Sequence, residues 1–387
     1  MSIYFDNSAT TKICDEALAA VNKYSSEVYA NPSSMHRFGF IVEKDVNDAT
    51  NVVADIIGCK SDEIIWTSGG SESNNLSVDG YVKANIKRGK HIITTNIEHP
   101  SVLKVFNKLE TEGMKVSYLK VDSNGIINID ELIDLINDET ILVSIMYVNN
   151  EIGSVQKIDE IGKRIKEKNK DTAFHVDFVQ GFGKYNINVK NSKIDFLSIS
   201  SHKIHGPKGV GILYKNKSLR IAPCILGGGQ QNNLRAGTLN VPGIIGTVEA
   251  CKVCYQNLKT ESEKLIKIKD LCIKKLTELN KKYGIIYINS KNDENFVPHI
   301  LSVSFLGIRA EVMLHALDEK EIYVSAGSAC SSHDKKVNST LINIGLPLNR
   351  AESTIRLSFG RYNKLEEVDE FIDALDTILP KLLITKR

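Results

Sequence analysis

The chain has 387 residues, of which 42% are hydrophobic and 25% charged, and a formal net charge of +2 at pH 7. This length exceeds the ~250–300 residues at which a single hydrophobic core stops growing, so two domains are expected. The near balance of charges excludes the basic excess typical of a nucleic-acid-binding protein. The most basic run, residues 259–282, has interspersed acids and apolar residues at helical spacing, which indicates a helix with a solvated face.

The N-terminal sequence and the cysteines indicate where the protein works. The first residues, MSIYFDNSATTK, contain no basic stretch followed by an apolar one, and no run of about 18 apolar residues occurs. The 7 cysteines are scattered and odd in number, which argues against a disulfide framework. Cys251 and Cys254 form a C-x-x-C pair within a helical pattern, so we interpret them as packing residues and expect no metal site. We therefore expect a cytoplasmic protein that does not enter a membrane.

Short β-rich segments alternate with helical stretches in the first part of the chain. The predicted strands are residues 63–67, 91–95, 115–119, 141–146, 173–177, 194–200 and 210–214. This alternation predicts an α/β fold with a mostly parallel seven-stranded sheet covered by helices on both faces.

A second pattern follows a long predicted helix over about 242–282. The strands predicted there are 284–288, 300–305 and 354–359, which alternate with helices at 309–318 and 364–378. This pattern predicts a smaller α+β domain. We expect a large domain of residues 15–255, and a small domain formed by residues 1–14 and 256–387.

Polar residues follow the first two predicted strands, at the sheet edge where α/β proteins bind ligands. The sequence SGGSESNN at 68–75 puts Gly70 and Ser71 at a helix start, where free N–H groups and the helix dipole can hold a phosphate. An ordinary helix cap at Ser71 is the alternative. His99 precedes a proline and can stack on an aromatic ring or move a proton, although a lone histidine is more often structural.

Amides and an acid follow the next two strands. Asn150, in YVNNEIG, can donate a hydrogen bond to a ligand oxygen. Asp177 ends a strand, and Gln180 follows it. A buried acid is costly unless a cation or a protonated ring nitrogen accompanies it, so a basic partner is expected for Asp177.

A lysine stands between two histidines after the sixth strand, in SISSHKIHGPKG at 198–209. A lysine beside a loop is usually a solvated residue, and its alternative role is that of a reactive amine. Ser200 and His202 are placed to bind a second side of a phosphate. Lys203 itself can form a Schiff base.

Together these residues supply a phosphate cradle, a ring-stacking histidine, an acid, an amide and a reactive lysine. Pyridoxal phosphate needs this set, because the acid keeps the ring nitrogen protonated and the ring can then accept carbanion electrons. The motifs SSHKIHGPKG, NIEHPSV, YVNNEIG, HVDFVQ and SAGSACSS resemble those of the NifS/IscS cysteine desulfurases. These belong to the aminotransferase class V branch of the fold type I pyridoxal-phosphate enzymes. The resemblance runs from YFDNSATT at 4–11 to residue 369.

This resemblance implies an activity and a set of site residues. The activity is removal of sulfur from L-cysteine, giving L-alanine and a persulfide on Cys330. The implied catalytic residues are Lys203, Cys330 and His99, and Arg356 and Asn150 would bind the substrate carboxylate. The implied cofactor-binding residues are Gly70, Ser71, His99, Asn150, Asp177, Gln180, Ser200, His202, Lys203 and Thr238.

Cys330 is the residue that distinguishes this reaction from other pyridoxal chemistry. It lies in SAGSACSSHDKKVNST at 325–340, a run of small and polar residues suited to a mobile loop. His333, Lys335 and Lys336 are near enough in sequence to stabilise a thiolate. A structural cysteine is expected in an apolar context instead, as Cys272 is.

One segment departs from the family pattern. The family usually has Glu-Arg-Gly where GGGQQNNLRAGT at 227–238 has Gln231, Asn232 and Asn233. The missing charges leave the local ion pairing open. In the family, the residue matching Thr238 reaches the phosphate of the neighbouring subunit, which implies a homodimer.

Other functions stay open at this point. The chain can be a selenocysteine lyase, or another class V aminotransferase or β-lyase. It can also be a non-catalytic scaffold that binds sulfur-trafficking proteins. The sequence does not identify the sulfur acceptor, for which iron–sulfur cluster assembly and tRNA thiolation are two candidates.

Overall fold

A computed structural model describes residues 2–326 and 339–384. Its central feature is a seven-stranded sheet in the order β2-β8-β7-β6-β5-β3-β4. The strands are β2 Ile64–Thr67, β3 His91–Thr95, β4 Lys115–Leu119, β5 Thr140–Met146, β6 Ala173–Asp177, β7 Phe196–Ser200 and β8 Gly211–Lys215. Strands β3 to β7 run parallel to one another, and β8 is antiparallel to both of its neighbours. The predicted mostly parallel seven-stranded sheet is confirmed.

Helices cover both faces of this sheet. They are α1 Asp15–Ser26, α2 Arg37–Ile57, α3 Gly70–Asn85, α4 Pro100–Thr111, α5 Ile129–Leu135, α6 Ile158–Lys168 and α7 Val241–Gln256. Separate apolar clusters lie on the two faces, one including residues of α1, α2, α6 and α7 and the other residues of α3 and α4. Burial on both faces explains why β3, β5, β6 and β7 are buried at every position, without alternation between buried and exposed residues.

The remaining elements form a second group with its own apolar cluster. They are β1 Ile3–Tyr4, α8 Leu258–Tyr283, β9 Ile286–Ile288, β10 Ile300–Phe305, α9 Ala310–Asp318, β11 Ile322–Tyr323, β12 Ser325–Ala326, α10 Ser339–Asn343, α11 Leu348–Ala351, β13 Thr354–Ser358 and α12 Glu366–Ile384. Strands β12-β13-β10-β9 form an antiparallel sheet, and β1 pairs in parallel with β11. Phe5 packs edge-on against Phe359 at 5.1 Å and Phe371 at 5.9 Å, so the N-terminal strand joins the C-terminal core. The domain boundaries themselves stay a prediction.

The long helix predicted over 242–282 is two helices. The break is at Asn257, which leaves the helical region with φ −108° and ψ 9°. Its side-chain amide donates to the Val253 carbonyl at 2.8 Å. An asparagine that bonds to the backbone in this way competes with the helical hydrogen bonds, so the prediction of one helix was wrong at this residue.

Within residues 2–326 and 339–384, no helix combines the length and the apolar character required to span a bilayer.

Candidate active site

The carboxyl ends of β2, β3, β5, β6 and β7 meet at one edge of the central sheet, because these strands share one direction. Each strand therefore delivers the residue that follows it to the same region. This arrangement brings His99, Asp177 and Lys203 together from distant parts of the sequence.

Lys203 lies in a short 3-10 turn, Ser201–Lys203, directly after β7. Its Nζ donates to the main-chain carbonyl of Ser8, and to that of Ala9 at 2.8 Å. Gln180 Nε2 donates to the same Ser8 carbonyl at 3.0 Å. The N-terminal segment therefore lies against both residues, and the lysine amine is at the sheet edge rather than in open solvent.

Asp177 ends β6 and is only 6% exposed. Its Oδ2 accepts a hydrogen bond from Asn74 Nδ2 at 2.8 Å, and its Oδ1 accepts one from the Val179 N–H at 3.0 Å. It forms no ion pair with any residue that the structure describes. A buried carboxylate held only by neutral donors suits a cationic ligand group, such as a protonated ring nitrogen.

A hydrogen-bonded chain joins Asp177 to His99. Asn74 Nδ2 also donates to Ser101 Oγ at 2.9 Å, and Ser101 Oγ lies 2.8 Å from His99 Nδ1. His99 caps α4, where its Nδ1 accepts from the Ser101 N–H at 3.1 Å. Because Nδ1 is an acceptor, the neutral ring carries its proton on Nε2. Burial, reinforced by the charge of Lys203, lowers the pKa of His99 against the opposing effect of Asp177.

The start of α3 forms a cradle that fits a phosphate. The residue before the helix is Gly69, with no side-chain cap, and Ser71 lies inside the helix, so the alternative of a cap at Ser71 is wrong. A β-carbon added at Gly70 would lie 2.7 Å from Cγ2 of Val179, so the close approach requires glycine here. The uncapped N–H groups and the helix dipole favour an anion.

Two further groups flank this cradle. Ser200 is buried at the end of β7, and a β-carbon added at Gly69 would lie 4.0 Å from its Oγ. His202 Nδ1 lies 3.1 Å from Thr10 Oγ1. Burial, followed by the charges of nearby lysines, lowers the pKa of His202 to about 4, so the ring is neutral at neutral pH. A neutral imidazole can still donate one N–H to a phosphate oxygen.

Arg356 and Asn150 are also brought together. Arg356 Nη1 donates to the Asn150 carbonyl at 2.8 Å, and Nη2 pairs with Asp6 Oδ1 at 3.0 Å. Glu151 Oε1 lies 3.5 Å from Nη1. Arg356 is 6% exposed, so its ion pair with Asp6 is not a surface ion pair. Burial raises the pKa of Asp6, and Arg356 opposes this rise.

The segment at 231–233, which departs from the family pattern, is held by side-chain hydrogen bonds of Gln231 and by a neighbouring ion pair of Arg235. Gln231 accepts from the Trp66 N–H at 2.7 Å and donates to the Trp66 carbonyl at 2.9 Å, which satisfies the edge of β2. Arg235 pairs with Glu72, in the first turn of α3, at 2.9 Å. Burial opposes ionisation of Glu72, but hydrogen bonds from Arg235 and Ser68 leave its pKa lowered. An amide can donate and accept at once, which a carboxylate cannot do.

Cys330 lies outside the described residues, as do His333, Lys335 and Lys336. The described thiols offer no reactive substitute. Cys251, Cys254 and Cys272 are buried, and burial raises the pKa of each, that of Cys254 to about 11. Burial also raises the pKa of Cys224, although that residue is exposed overall.

Sequence reasoning missed the residues that support the site. Asn74 and Ser101 link Asp177 to His99, and their helical positions, four and one residues into α3 and α4, were the available signal. Glu98 was also missed. Its Oε1 accepts from Thr95 Oγ1 at 2.7 Å and the Met146 N–H at 2.9 Å, tying the ends of β3 and β5 together. Burial raises the pKa of Glu98 to about 8.

Comparison with known proteins identifies the class of protein. Residues 3–371 match the family model described as aminotransferase class V. The chain therefore belongs to the aminotransferase class V family, whose members depend on pyridoxal phosphate.

Within this family, the chain is similar to proteins named as cysteine desulfurases and NifS homologues. The chain is 40% identical over 380 residues to a protein named cysteine desulfurase IscS from Dictyoglomus turgidum, covering 98% of this chain and 95% of that one. It is 42% identical over 377 residues to a NifS/IcsS protein homolog from Lactobacillus delbrueckii subsp. bulgaricus, covering 97% of each chain. A solved NifS-like protein superposes with a TM-score of 0.93 at 37% identity, covering 99% of this chain and 100% of that one. The resemblance and fold type predicted from the sequence are confirmed.

The Asn74 link yields the first prediction. Asn74→Ala removes the donor to both Asp177 and Ser101, so the free energy of unfolding should fall by about 1–3 kcal/mol, the cost of leaving buried acceptors unsatisfied. Urea denaturation measures this change. Asn75→Ala is the matched control: Asn75 is exposed, and in the part of the chain that the structure describes its side chain donates to the Ser71 carbonyl alone, so its effect should stay within about 0.5 kcal/mol. Equal losses in the two variants would contradict the role of Asn74.

Proposed function

We infer that this protein is a pyridoxal-phosphate-dependent cysteine desulfurase that converts L-cysteine to L-alanine and carries the released sulfur as a persulfide. The observation that carries this inference is the buried Asp177 carboxylate, held by neutral donors at the same sheet edge as the Lys203 amine. This pairing fits a cofactor with a basic ring nitrogen and an aldehyde. The relatives named as cysteine desulfurases, which match nearly the whole chain, support the choice of reaction.

We propose the following residues for cofactor binding. The start of α3 at Gly70 and Ser71, with Ser200 and His202, binds the phosphate, and Thr238 completes this site from a second subunit. Asp177 would keep a proton on the ring nitrogen, His99 would lie against the ring, and Gln180 and Asn150 would donate to its oxygen. Lys203 would be the point of covalent attachment. When bound, pyridoxal phosphate supplies the sink for the electron pair left when the substrate Cα loses its proton.

The chain's other residues orient the substrate and move its proton. Arg356 binds the substrate carboxylate bidentately, aided by Asn150, and exchanges part of its present pairing with Asp6 for that carboxylate. Lys203 or His99 takes the Cα proton. Lys203 fits this task better than the neutral His99 ring, because His99 Nδ1 already accepts from the Ser101 N–H and its Nε2 carries the proton.

Sulfur transfer is assigned to Cys330. Its thiolate attacks the substrate sulfur, and a new S–S bond forms as the Cβ–S bond of the substrate breaks. The carbon skeleton takes up protons and leaves as L-alanine, so no external oxidant or reductant is needed. The persulfide then passes to an acceptor protein, for which iron–sulfur cluster assembly is the use that the IscS relatives' name suggests.

We also propose that the protein is a cytoplasmic homodimer. Thr238 is exposed on the single chain, and the same segment carries Leu226, whose side chain is 82% exposed. An exposed leucine beside a predicted cofactor-binding threonine fits a surface that a second subunit covers. The six cysteines that the structure describes are all free, which supports a reducing compartment.

The second prediction concerns Lys203. Lys203→Ala should lose the visible absorbance of the lysine-bound cofactor and the protein adduct that borohydride traps, because no amine is then placed beside Asp177. Absorbance spectroscopy and mass spectrometry measure both. Lys208→Ala, an exposed lysine in the same loop, should keep them. A trapped adduct in Lys203→Ala would exclude Lys203 as the cofactor's attachment point.

The third prediction concerns Cys330. Cys330→Ser should still bind the cofactor and change its spectrum with L-cysteine, but alanine formation should fall about 10³-fold or more, because a serine cannot carry a persulfide. Cys224→Ser, which removes an exposed thiol, should retain full activity. Mass spectrometry should find one added sulfur on the Cys330 peptide of the wild type. Sulfur on Cys251, Cys254 or Cys272 instead would refute this mechanism.

The fourth prediction tests the dimer. Analytical ultracentrifugation should give twice the 43.0 kDa chain mass. Thr238→Val should weaken cofactor affinity about 10- to 100-fold, the loss of one hydrogen bond to a charged group, without changing thermal stability of the apoprotein. Thr111→Val, on the exposed end of α4, serves as the control. A monomer that retains the cofactor fully would overturn the shared site.

A further inference from the structure

A cavity lies behind Lys203, between the central sheet and the C-terminal group of elements. Its wall includes Lys184, the main-chain region of Lys203 and Ile204, His299, Arg361 and the first turn of α8. The centres of water-sized molecules can occupy about 50 Å³ of it, where one water needs ~10–15 Å³. Asp177, His99, Asn150 and Arg356 do not line this cavity, whereas Lys203 does, so the cavity adjoins the proposed cofactor site at this lysine.

The cavity contains more positive than negative charge. Arg361 and Glu261 pair with each other, with Nε to Oε1 at 2.6 Å. Lys184 Nζ donates to the Lys203 carbonyl at 3.2 Å and forms no ion pair with the residues that the structure describes. Glu261 is a nearby opposite charge for Lys184, but it pairs with Arg361, so these three groups carry one net positive charge when Lys184 is protonated. Lys184 is partly buried, and a partly buried cation attracts an anion more strongly than a fully solvated one, because the local dielectric constant is lower.

His299 gives an independent indication of a ligand. It is 2% exposed, it lines the cavity, and neither ring nitrogen has a hydrogen-bond partner among the described residues. Burial holds the pKa of His299 well below its usual range, so the ring is neutral and has one N–H to donate. Leaving such a donor unsatisfied costs about 1–3 kcal/mol, which a bound group would recover.

The first turn of α8 adds a third contribution. This 26-residue helix begins beside the cavity, and Leu258, Glu261 and Ser262 of its first turn line the wall. Asn257, at its N-terminus, makes no side-chain cap hydrogen bond. The positive end of the α8 dipole therefore lies beside the cavity, where the carboxyl end of α7, at Gln256, partly offsets it.

We propose that this cavity is a binding site for one small monovalent anion of halide, nitrate or formate size, held by Lys184, His299 and the start of α8. The volume excludes an amino acid or a nucleotide. Glu261 does not neutralise the charge of Lys184, because its carboxylate is paired with the guanidinium of Arg361. A bound anion would also keep Lys184 charged and so fix its hydrogen bond to the main chain of Lys203.

The test uses crystals of the full-length holoenzyme soaked in sodium bromide at pH 7. Anomalous scattering should show one bromide in the cavity. Lys184→Met should lose it, whereas Lys190→Met, which removes an exposed lysine a few residues away, should keep it. No bromide in the wild-type cavity, or bromide retained in Lys184→Met, would overturn the proposal.

A solution measurement keeps the proposal testable if Lys184→Met does not fold. Replacing sodium gluconate, whose anion is too large for the cavity, with equimolar sodium bromide should raise the melting temperature of the wild type at pH 7. Burial lowers the pKa of Lys184 to about 8, and the anion binds its protonated form. The bromide Kd should therefore weaken about tenfold per pH unit above 8, and the stabilisation should vanish by pH 10.

The charged and titratable groups around Lys184 set the interpretation of that pH profile. They are Cys254 of α7, Glu261 of α8, Lys203 and His205 after β7, and His299 and Arg361 of the C-terminal group. The pKa values of His205 and His299 are lowered by burial, and that of Cys254 is raised to about 11, so none of these three groups changes charge between pH 7 and 9. A bromide effect that is constant from pH 7 to 10 would exclude Lys184 as the anion's partner.

Discussion

The buried carboxylate of Asp177 is the constraint on which the rest of the site depends. A carboxylate at the end of a buried strand loses most of its hydration, and among residues 2–326 and 339–384 its hydrogen-bond donors are two neutral groups, from Asn74 and Val179. Each donor recovers part of the lost hydration, but no described cation does. The site is therefore incomplete without a positively charged partner, and the ring nitrogen of the proposed cofactor is the group that would supply it. Asn74 also fixes His99 through Ser101, so one hydrogen-bonded chain orients both the acid and the histidine.

The N-terminal segment joins the two groups of elements across the site. Its strand β1 pairs with β11, and Phe5 is buried in the C-terminal core. A few residues later, the carbonyls of Ser8 and Ala9 accept from Lys203, and Asp6 pairs with Arg356. A movement of the C-terminal group of elements would therefore displace the partners of Lys203 and of Arg356, the arginine proposed to bind the substrate carboxylate. The cavity lined by Lys203 lies at the same junction. An anion bound by Lys184 would be linked to the main chain of Lys203 by the hydrogen bond that Lys184 donates to the Lys203 carbonyl.

The segment at 231–233 shows how a departure from a family pattern is accommodated physically. Its three residues all have positive φ, between 49° and 64°, a conformation that asparagine tolerates better than most residues. Gln231 uses its amide to satisfy the edge of β2, and Arg235 keeps an ion pair with Glu72. Gln231 and Arg235 therefore supply hydrogen bonds and an ion pair within this segment, so its departure from the family pattern has a structural explanation.

The sequence by itself determined where the seven strands of the central sheet lie along the chain, because each is a β-rich run bounded by polar residues. It also placed His99, Asp177 and Lys203 immediately after strands, where parallel topology brings them together. Only the tertiary structure decided which groups satisfy those residues. Asn74 reaches Asp177 across 103 positions, and the Ser8 carbonyl reaches Lys203 across 195, and no local pattern encodes such distances. The break at Asn257 and the cavity around Lys184 also depend on packing between distant elements, since a buried cation can be recognised only when its surroundings are known.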